Sequence, residues 1–507
     1  VSPLALAFQD PDKIKAPIIA WGQLAPMLSV FAAATAGVLV EAFAPAARRR
    51  TVQVGVSVAG LLASLLFVVR LWGQHAPKVV ADGVVSVDGP ALFLQGTLAA
   101  LAIASVLLLS EIGNRTDPDA SVGRDLPTES FPLALFAVGG MMLFVSATNL
   151  LLLFVALEIL SLPLYLLTGL ARRRRILSQE GALKYFLLGA FSSAFFLYGL
   201  ALLYGYAGTT SFAGIRAATL VVGSNDVLLY AGLALLGVGL LFKVGAVPFH
   251  AWTPDVYQGA PTPITALMAA GTKVAAFGGL VRVLYVIGGE IVWDWRPAVW
   301  AVAILTMVVG AVVAVTQQDV KRMLAYSSIA HAGFLLTGVA AGNNAGLRGV
   351  LFYLLAYGFT VFGAFAVVTL VRDKDGEATH LSKWQGLGRR SPVVASVFAF
   401  FLFALAGIPL TSGFSAKFAV FEAAVEGRAT PLVVVGVLSS AVAAFFYARV
   451  VVLMFFQEPA EDGPSVVLPN TGVAAALGLA VTVTVLLGVV PGEMLRIADV
   501  AARGFIR

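Results

Sequence analysis

The chain has 507 residues, of which 59% are apolar and 12% charged, and its formal net charge is +6. Soluble domains carry about a quarter of their residues as Asp, Glu, Lys or Arg, so this composition excludes a soluble core and implies a polytopic membrane protein. The absence of cysteine excludes thiolate metal sites, iron–sulfur clusters and disulfides within the chain, and four scattered histidines give no haem or zinc constellation.

A helix needs about 20 apolar residues to cross a bilayer. Taken in chain order, the apolar runs predict fourteen spans: 17–43, 51–73, 92–112, 130–146, 148–169, 180–206, 226–257, 262–288, 295–317, 319–341, 346–372, 391–425, 430–456 and 469–490. Lys13 and Lys15 precede the first run, which reads as a span and not as a cleavable signal peptide. The seventh and twelfth runs are too long for a plain crossing, and both carry Gly and Pro in their interiors. Each is therefore expected to be discontinuous. The polar stretches 112–129 and 373–391 are too short for separate domains, so residues 1–507 read as one all-α membrane domain. No G-x-G-x-x-G follows a strand pattern and no Walker-type loop occurs, so redox and nucleotide chemistry have no visible home in the chain.

Cytoplasmic loops are rich in Lys and Arg. With the N-terminus outside, the inside loops hold sixteen basic residues: Arg48–Arg50, Arg115, Arg124, Arg172–Arg175, Lys321, Arg322, Arg372, Lys374, Lys383, Arg389 and Arg390. The outside loops hold four: Lys78, Arg216, Arg296 and Arg428. An even number of spans returns the C-terminus to the outer side. The acidic stretch 457–468 contributes nothing to this bias. The net positive charge thus reports orientation, and no nucleic-acid partner is implied.

Eight basic residues remain within spans: Arg70, Lys184, Lys243, Lys273, Arg282, Arg348, Lys417 and Arg449. The four arginines fall within about two turns of helix ends, where long side chains snorkel. The deeper positions belong to lysine. Arginine stays protonated, whereas lysine can be neutralised by desolvation, so only lysine suits a proton relay. Each charge at a helix centre costs roughly 2.5–3.5 kcal/mol on insertion scales, and several such residues point to function.

Glu158, in ALEILSLPLY, is the one carboxylate near the middle of a span. Lys243 is its expected partner, and making or breaking such a pair would switch the lysine's proton affinity. His331, in AYSSIAHAG, is the only mid-membrane histidine and suits proton transfer, although a lone core histidine is more often a satisfied hydrogen-bonding group. Lys243 in FKVGAVPF and Lys417 in GIPLTSGFSAK both lie near Gly and Pro within overlong helices. One such helix would read as a proline kink; two suggest the broken helices of an inverted-repeat transporter. Lys273, in AAGTKVAAF, is central in the eighth span, its bland alternative being a lysine that stabilises a neighbouring helix end. Lys184, in ALKYF, is as compatible with snorkelling as with participation. HAWTPDVYQGAPTP reads as a polar inner cap, with Asp255 as either a proton-uptake group or a structural loop residue.

Several of these segments resemble, in order, the antiporter-like membrane subunits of respiratory complex I, the proton-translocating NADH:quinone oxidoreductase. They are ALEILSLPLYLLTG, FKVGAVPFHAWTPDVYQGAPTPITA and KRMLAYSSIAHAGF, and the likeness covers roughly residues 130–456. DVYQGAPTP, LEILSLPLYLL and a lysine at position 417 look most like the subunit N family. The resemblance implies two inverted five-helix repeats, spans four to eight (130–288) and nine to thirteen (295–456), flanked by helices one to three (17–112) and fourteen (469–490). It implies proton pumping, with Glu158 and Lys243 as the coupling pair, Lys273 and His331 along the central axis and Lys417 on the exit branch; Lys184 also matches a family lysine. It further implies a bacterial inner-membrane location, no cofactor in this chain, FMN, iron–sulfur clusters and quinone in other subunits, and subunits M and K as neighbours. Two alternatives remain open: a subunit of a multi-subunit sodium/proton antiporter, and a structural spacer in a membrane arm.

Overall fold

The computed structural model describes residues 19–74, 76–110, 126–170, 175–220, 226–373, 376–459 and 463–506. Lys13 and Lys15, ahead of the first span, and Arg115, Arg124, Arg172–Arg174 and Lys374, counted among the inside-loop basic residues, lie outside the described residues, as does most of the 112–129 loop.

In chain order the helices are α1 (Trp21–Phe43), α2 (Ala46–Gly73), α3 (Gly89–Leu109), α4 (Ser130–Ser146), α5 (Leu150–Thr168), α6 (Arg175–Ala207), α7 (Phe212–Thr219), α8 (Asp226–Val244), α9 (Trp252–Gly259) and α10 (Thr262–Leu267). After a π-turn at Met268–Thr272 come α11 (Lys273–Val286), α12 (Val292–Thr316), α13 (Val320–Ala340), α14 (Asn344–Val368), α15 (Leu387–Arg390), α16 (Pro392–Ala406), α17 (Ser412–Glu426), α18 (Thr430–Phe456), α19 (Thr471–Val489) and α20 (Pro491–Arg503). Twelve helices among the described residues are long and apolar enough to cross a membrane, with α10 through α11 counted as one. Two shorter apolar helices, α4 and α16, add to these. A bilayer tolerates only helices whose backbone groups are satisfied internally, and the polar residues at their starts serve that end. Asn149 accepts from Leu151 and Leu152 N–H, Asp319 from Lys321 and Arg322, and Asn343 from Gly346.

Composition decides which helices lie inside. The stretches α10–α11 and α14 are buried along their whole apolar lengths, and α13 nearly so. These carry Lys273, Tyr353 and His331 and form the centre. The outer helices bury one stripe only: on α2 it runs Gln53, Ser57, Leu61, Ser64, Val68 and Leu71, at the three-to-four residue spacing of a single face. Small elements absent from the sequence reading are a hairpin, β1 (Lys78–Val80) with β2 (Val85–Val87), and a three-stranded patch of β3 (Val371–Asp373), β4 (Gly376–Glu377) and β5 (Ser465–Val466) in the order β4-β3-β5. The amphipathic helix α20 was likewise not anticipated.

Both overlong runs are broken, as expected. The first stops at Gly245, whose φ is +74°, and the second at Gly407, φ +86°. Gly245 N–H donates to Phe242 and Ala246 N–H to Leu241. Gly407 N–H donates to Ala404 and Ile408 N–H to Phe403. Both are Schellman closures, which need a left-handed residue that glycine supplies without a Cβ clash. Pro248 and Pro409 then prevent the helix from continuing.

Candidate functional site

A broken helix leaves carbonyl oxygens at its last turn without amide partners, at the negative end of the helix dipole. In this chain, lysines meet them. Lys273 Nζ, from the start of α11, donates to Val244 O at 2.8 Å, the last residue of α8, and to Ser328 O of α13 at 3.0 Å. Lys417 Nζ, from α17, donates to Ala406 O at 2.8 Å and Leu405 O at 3.2 Å, the last two residues of α16. Both side chains are almost entirely buried, at 2% and 6% exposure, and Lys417 also lies 4.9 Å from the Phe334 ring centroid.

Lys243 is the penultimate residue of α8, two before Gly245. Its ammonium donates to Ser161 Oγ at 2.8 Å and Tyr185 Oη at 3.1 Å, with the rings of Tyr185 and Tyr165 at 5.0 and 5.7 Å. Tyr185 is stacked on Trp252 at 4.7 Å, and Trp252 donates its indole N–H to Phe242 O. Helices α5, α6, α8 and α9 thus converge on one ammonium group.

His331 is buried in α13, three residues beyond Ser328. Its Nδ1 pairs with Tyr353 Oη at 2.8 Å, and Tyr357 stands 4.9 Å from its ring. The Phe334 ring lies against both His331 and Lys417, 5.6 Å from the imidazole and 4.9 Å from Lys417 Nζ, just as residues 243 and 244 link Lys243 to Lys273. The order in space is Lys243, Lys273, His331, Lys417. The hydroxyl-bearing side chains Thr253, Ser328 and Tyr357 are buried along this row.

Two expectations for the site are changed by the structure. Glu158 does not form an ion pair with Lys243. Its carboxylate, half-buried on α5, accepts from Ser193 Oγ of α6 at 2.6 Å, while Ser161, one turn along α5, takes the lysine. The two remain within electrostatic reach. Arg282 does not snorkel: it is 1% exposed and paired at 2.5 Å with Asp88, a buried carboxylate that the sequence reading passed over.

Lys184 lies apart from the central row, its side chain 41% exposed, bonded to Glu180 and Asp255 at 2.7 Å each. Asp255, on α9 beyond the end of the spanning helix α8, also takes Arg322 at 2.7 Å, and Arg322 reaches Gln258. Lys184 is adjacent in sequence to Tyr185, so this network abuts the Lys243 cage. Among the described residues, no three His, Asp or Glu side chains converge as metal ligands.

The family description NADH:quinone oxidoreductase/Mrp antiporter, TM matches residues 147–443, which contain all six of these candidate residues. Over 514 residues, the chain is 60% identical to the NADH-quinone oxidoreductase subunit N of a Parafrankia species, covering 98% of each. The chain belongs to the NADH-quinone oxidoreductase subunit N family. The fold of this subunit N-family chain is similar to that of a chain in respiratory complex I from Thermus thermophilus with bound aureothin. That match has TM-score 0.77 and 33% identity, and covers 93% of this chain and 98% of the other. A chain of the Mrp complex of a Dietzia species shares the fold at TM-score 0.83 with 22% identity, over 96% and 97% of the two chains.

Proposed function

We propose that this chain is a proton-translocating membrane subunit of NADH:quinone oxidoreductase, and that protons pass along Lys243, Lys273, His331 and Lys417. The observation that carries the reading is the meeting of each helix break with a buried ammonium group. A protonated lysine satisfies the freed carbonyls; a neutral one holds them less strongly, so proton release and the geometry of the break are coupled. Glu158 is the modulating charge, acting on Lys243 from one turn beyond Ser161. Lys184, with Asp255 and Arg322, forms the inner-surface end, and Lys417 the exit branch.

In this reading the two short apolar helices complete fourteen spans, α8–α9 and α16–α17 each counting as one discontinuous crossing. Residues 130–288 and 295–456 are the two inverted repeats, residues 17–112 and 469–490 flank them, and both termini face the outer side of a bacterial inner membrane. FMN, iron–sulfur clusters and quinone belong to partner subunits, and subunits M and K are the membrane neighbours. The high identity to subunit N proteins over the full length favours this assignment above that of an antiporter subunit, whose likeness is one of fold.

The test is to purify the assembly and replace Lys417 with Met. Co-purification with flavin- and iron–sulfur-bearing subunits, and fewer protons moved per NADH oxidised, are expected. Recovery with small membrane subunits alone, or unchanged stoichiometry, would overturn the proposal.

A further inference from the structure

The row of lysines leaves one buried charge cluster unused. Arg282 lies nine residues beyond Lys273 along the same helix, about 13 Å further out in the orientation proposed above. Its Nη2 meets Asp88 Oδ1 at 2.5 Å, and its Nε donates to Val145 O at the end of α4. Asp88 also caps α3 through Ala91 N–H.

The segment after α20 closes over this pair. Ile506 N–H donates to Asp88 Oδ2 at 3.2 Å, Gly89 N–H to Gly504 O at 3.4 Å, and the Phe505 ring covers the guanidinium at 5.4 Å. At Gly89 a Cβ would lie only 2.2 Å from Ala501 O, so α20 rests directly on the start of α3.

Two cavities flank the pair. Asp88 lines one of about 110 Å³, with Gln23, Gln74 and Lys78 in its wall. Arg282 lines a smaller one of about 10 Å³, walled by Leu347, Val350 and Phe505, about the room one water needs. Among the described residues, Arg282 Nη1 finds no hydrogen-bond partner. The pair thus stands between a larger cavity that Asp88 lines and a smaller, mostly apolar one that Arg282 lines.

We propose that Arg282 and Asp88, kept dry by Gly504–Ile506, form a fixed electrostatic plug that bars protons and cations from reaching Lys273 from the outer side. Arginine cannot give up its proton to relay one, and a fixed cation in a narrow pore repels others. Asp88 is ion-paired with Arg282 and accepts two backbone N–H bonds, from Ala91 and Ile506. The inference rests on the translocation reading, since a barrier matters only beside a proton path.

The chain contains no cysteine, so a single Val350→Cys reports on the smaller cavity that Val350 lines. The assembled complex is reconstituted in liposomes, with the chain intact, terminated after Arg503, or carrying Phe505→Ala. An impermeant thiol reagent is applied from the outer side, modification of residue 350 is read by mass spectrometry, and decay of an imposed pH gradient is followed without NADH. The intact form should stay unmodified and tight. The shortened form should react at least tenfold faster and lose the gradient several-fold faster while retaining NADH:quinone electron transfer. Phe505→Ala should do the same to a smaller degree, and it decides the matter if the shortened chain does not assemble. An unreactive cysteine, or a reactive one with no faster decay, would overturn the plug. Neither readout uses NADH-driven pumping, so failure of the lysine row would show separately, in the Lys417→Met stoichiometry.

Discussion

Replacing Lys273 separates a structural lysine from a proton-releasing one. In Lys273→Met the side chain keeps its approximate length and loses its charge, and two acceptors, Val244 O and Ser328 O, lose their donor. An unsatisfied buried carbonyl costs about 1–3 kcal/mol. Removing a lysine from a span centre recovers roughly 2.5–3.5 kcal/mol of insertion cost. These terms oppose one another, so the Met variant should assemble, with a stability change within about 3 kcal/mol of zero. Lys273→Arg keeps the charge and the donors but cannot release a proton. If Lys273 only clamps the α8 break to α13, the Arg form should pump like the parent and the Met form should fail. If proton release is required, both should lose pumping while NADH:quinone electron transfer is measurable. The assay is protons moved per NADH in liposomes, alongside thermal unfolding of the detergent-solubilised complex. Parental pumping by the Arg variant would refute the relay role.

Three further substitutions probe other parts of the site. Gly407→Ala forces a Cβ into a left-handed position 3.0 Å from Lys417 Cδ and 3.2 Å from its Nζ, so thermal unfolding should show a loss of about 1–3 kcal/mol, accompanied by reduced pumping. Tyr185→Phe preserves the stack on Trp252 and removes one of the two hydroxyls that accept from Lys243; it should weaken pumping, and combination with Ser161→Ala should abolish it without loss of assembly. Asp255→Asn removes the carboxylate shared by Lys184 and Arg322. Its cost should be about 1–2 kcal/mol, low for charged hydrogen bonds because the side chain is 30% exposed, and proton uptake from the inner side should slow when followed with a pH dye.

The helix breaks were legible in the sequence because their chemistry is local. A glycine able to take positive φ, followed within three residues by proline, ends a helix wherever it occurs, and both Gly245–Pro248 and Gly407–Pro409 do so. Burial of Lys243, Lys273, His331 and Lys417 was equally legible, since position within an apolar run fixes depth. What each group touches was not. Ser161 intercepts Lys243 because it lies one turn from Glu158 on α5, and Tyr185 arrives from α6. Neither approach can be read from spacing along the chain. Arg282 looked like a snorkelling residue because Asp88 is 194 positions away and sits at a helix start, where an aspartate is ordinarily just a cap. Helix α20 escaped notice because it is amphipathic and 13 residues long, below the length that marks a crossing.

The central claim is that charge moves through the membrane by way of ammonium groups set at broken helices. Its most direct measurement is the number of protons translocated per NADH by complex in which Lys243, Lys273 and Lys417 are all methionine, reconstituted beside the parent. The account requires the variant to move fewer protons for each NADH it oxidises. An assembled triple variant with the parental ratio would contradict it.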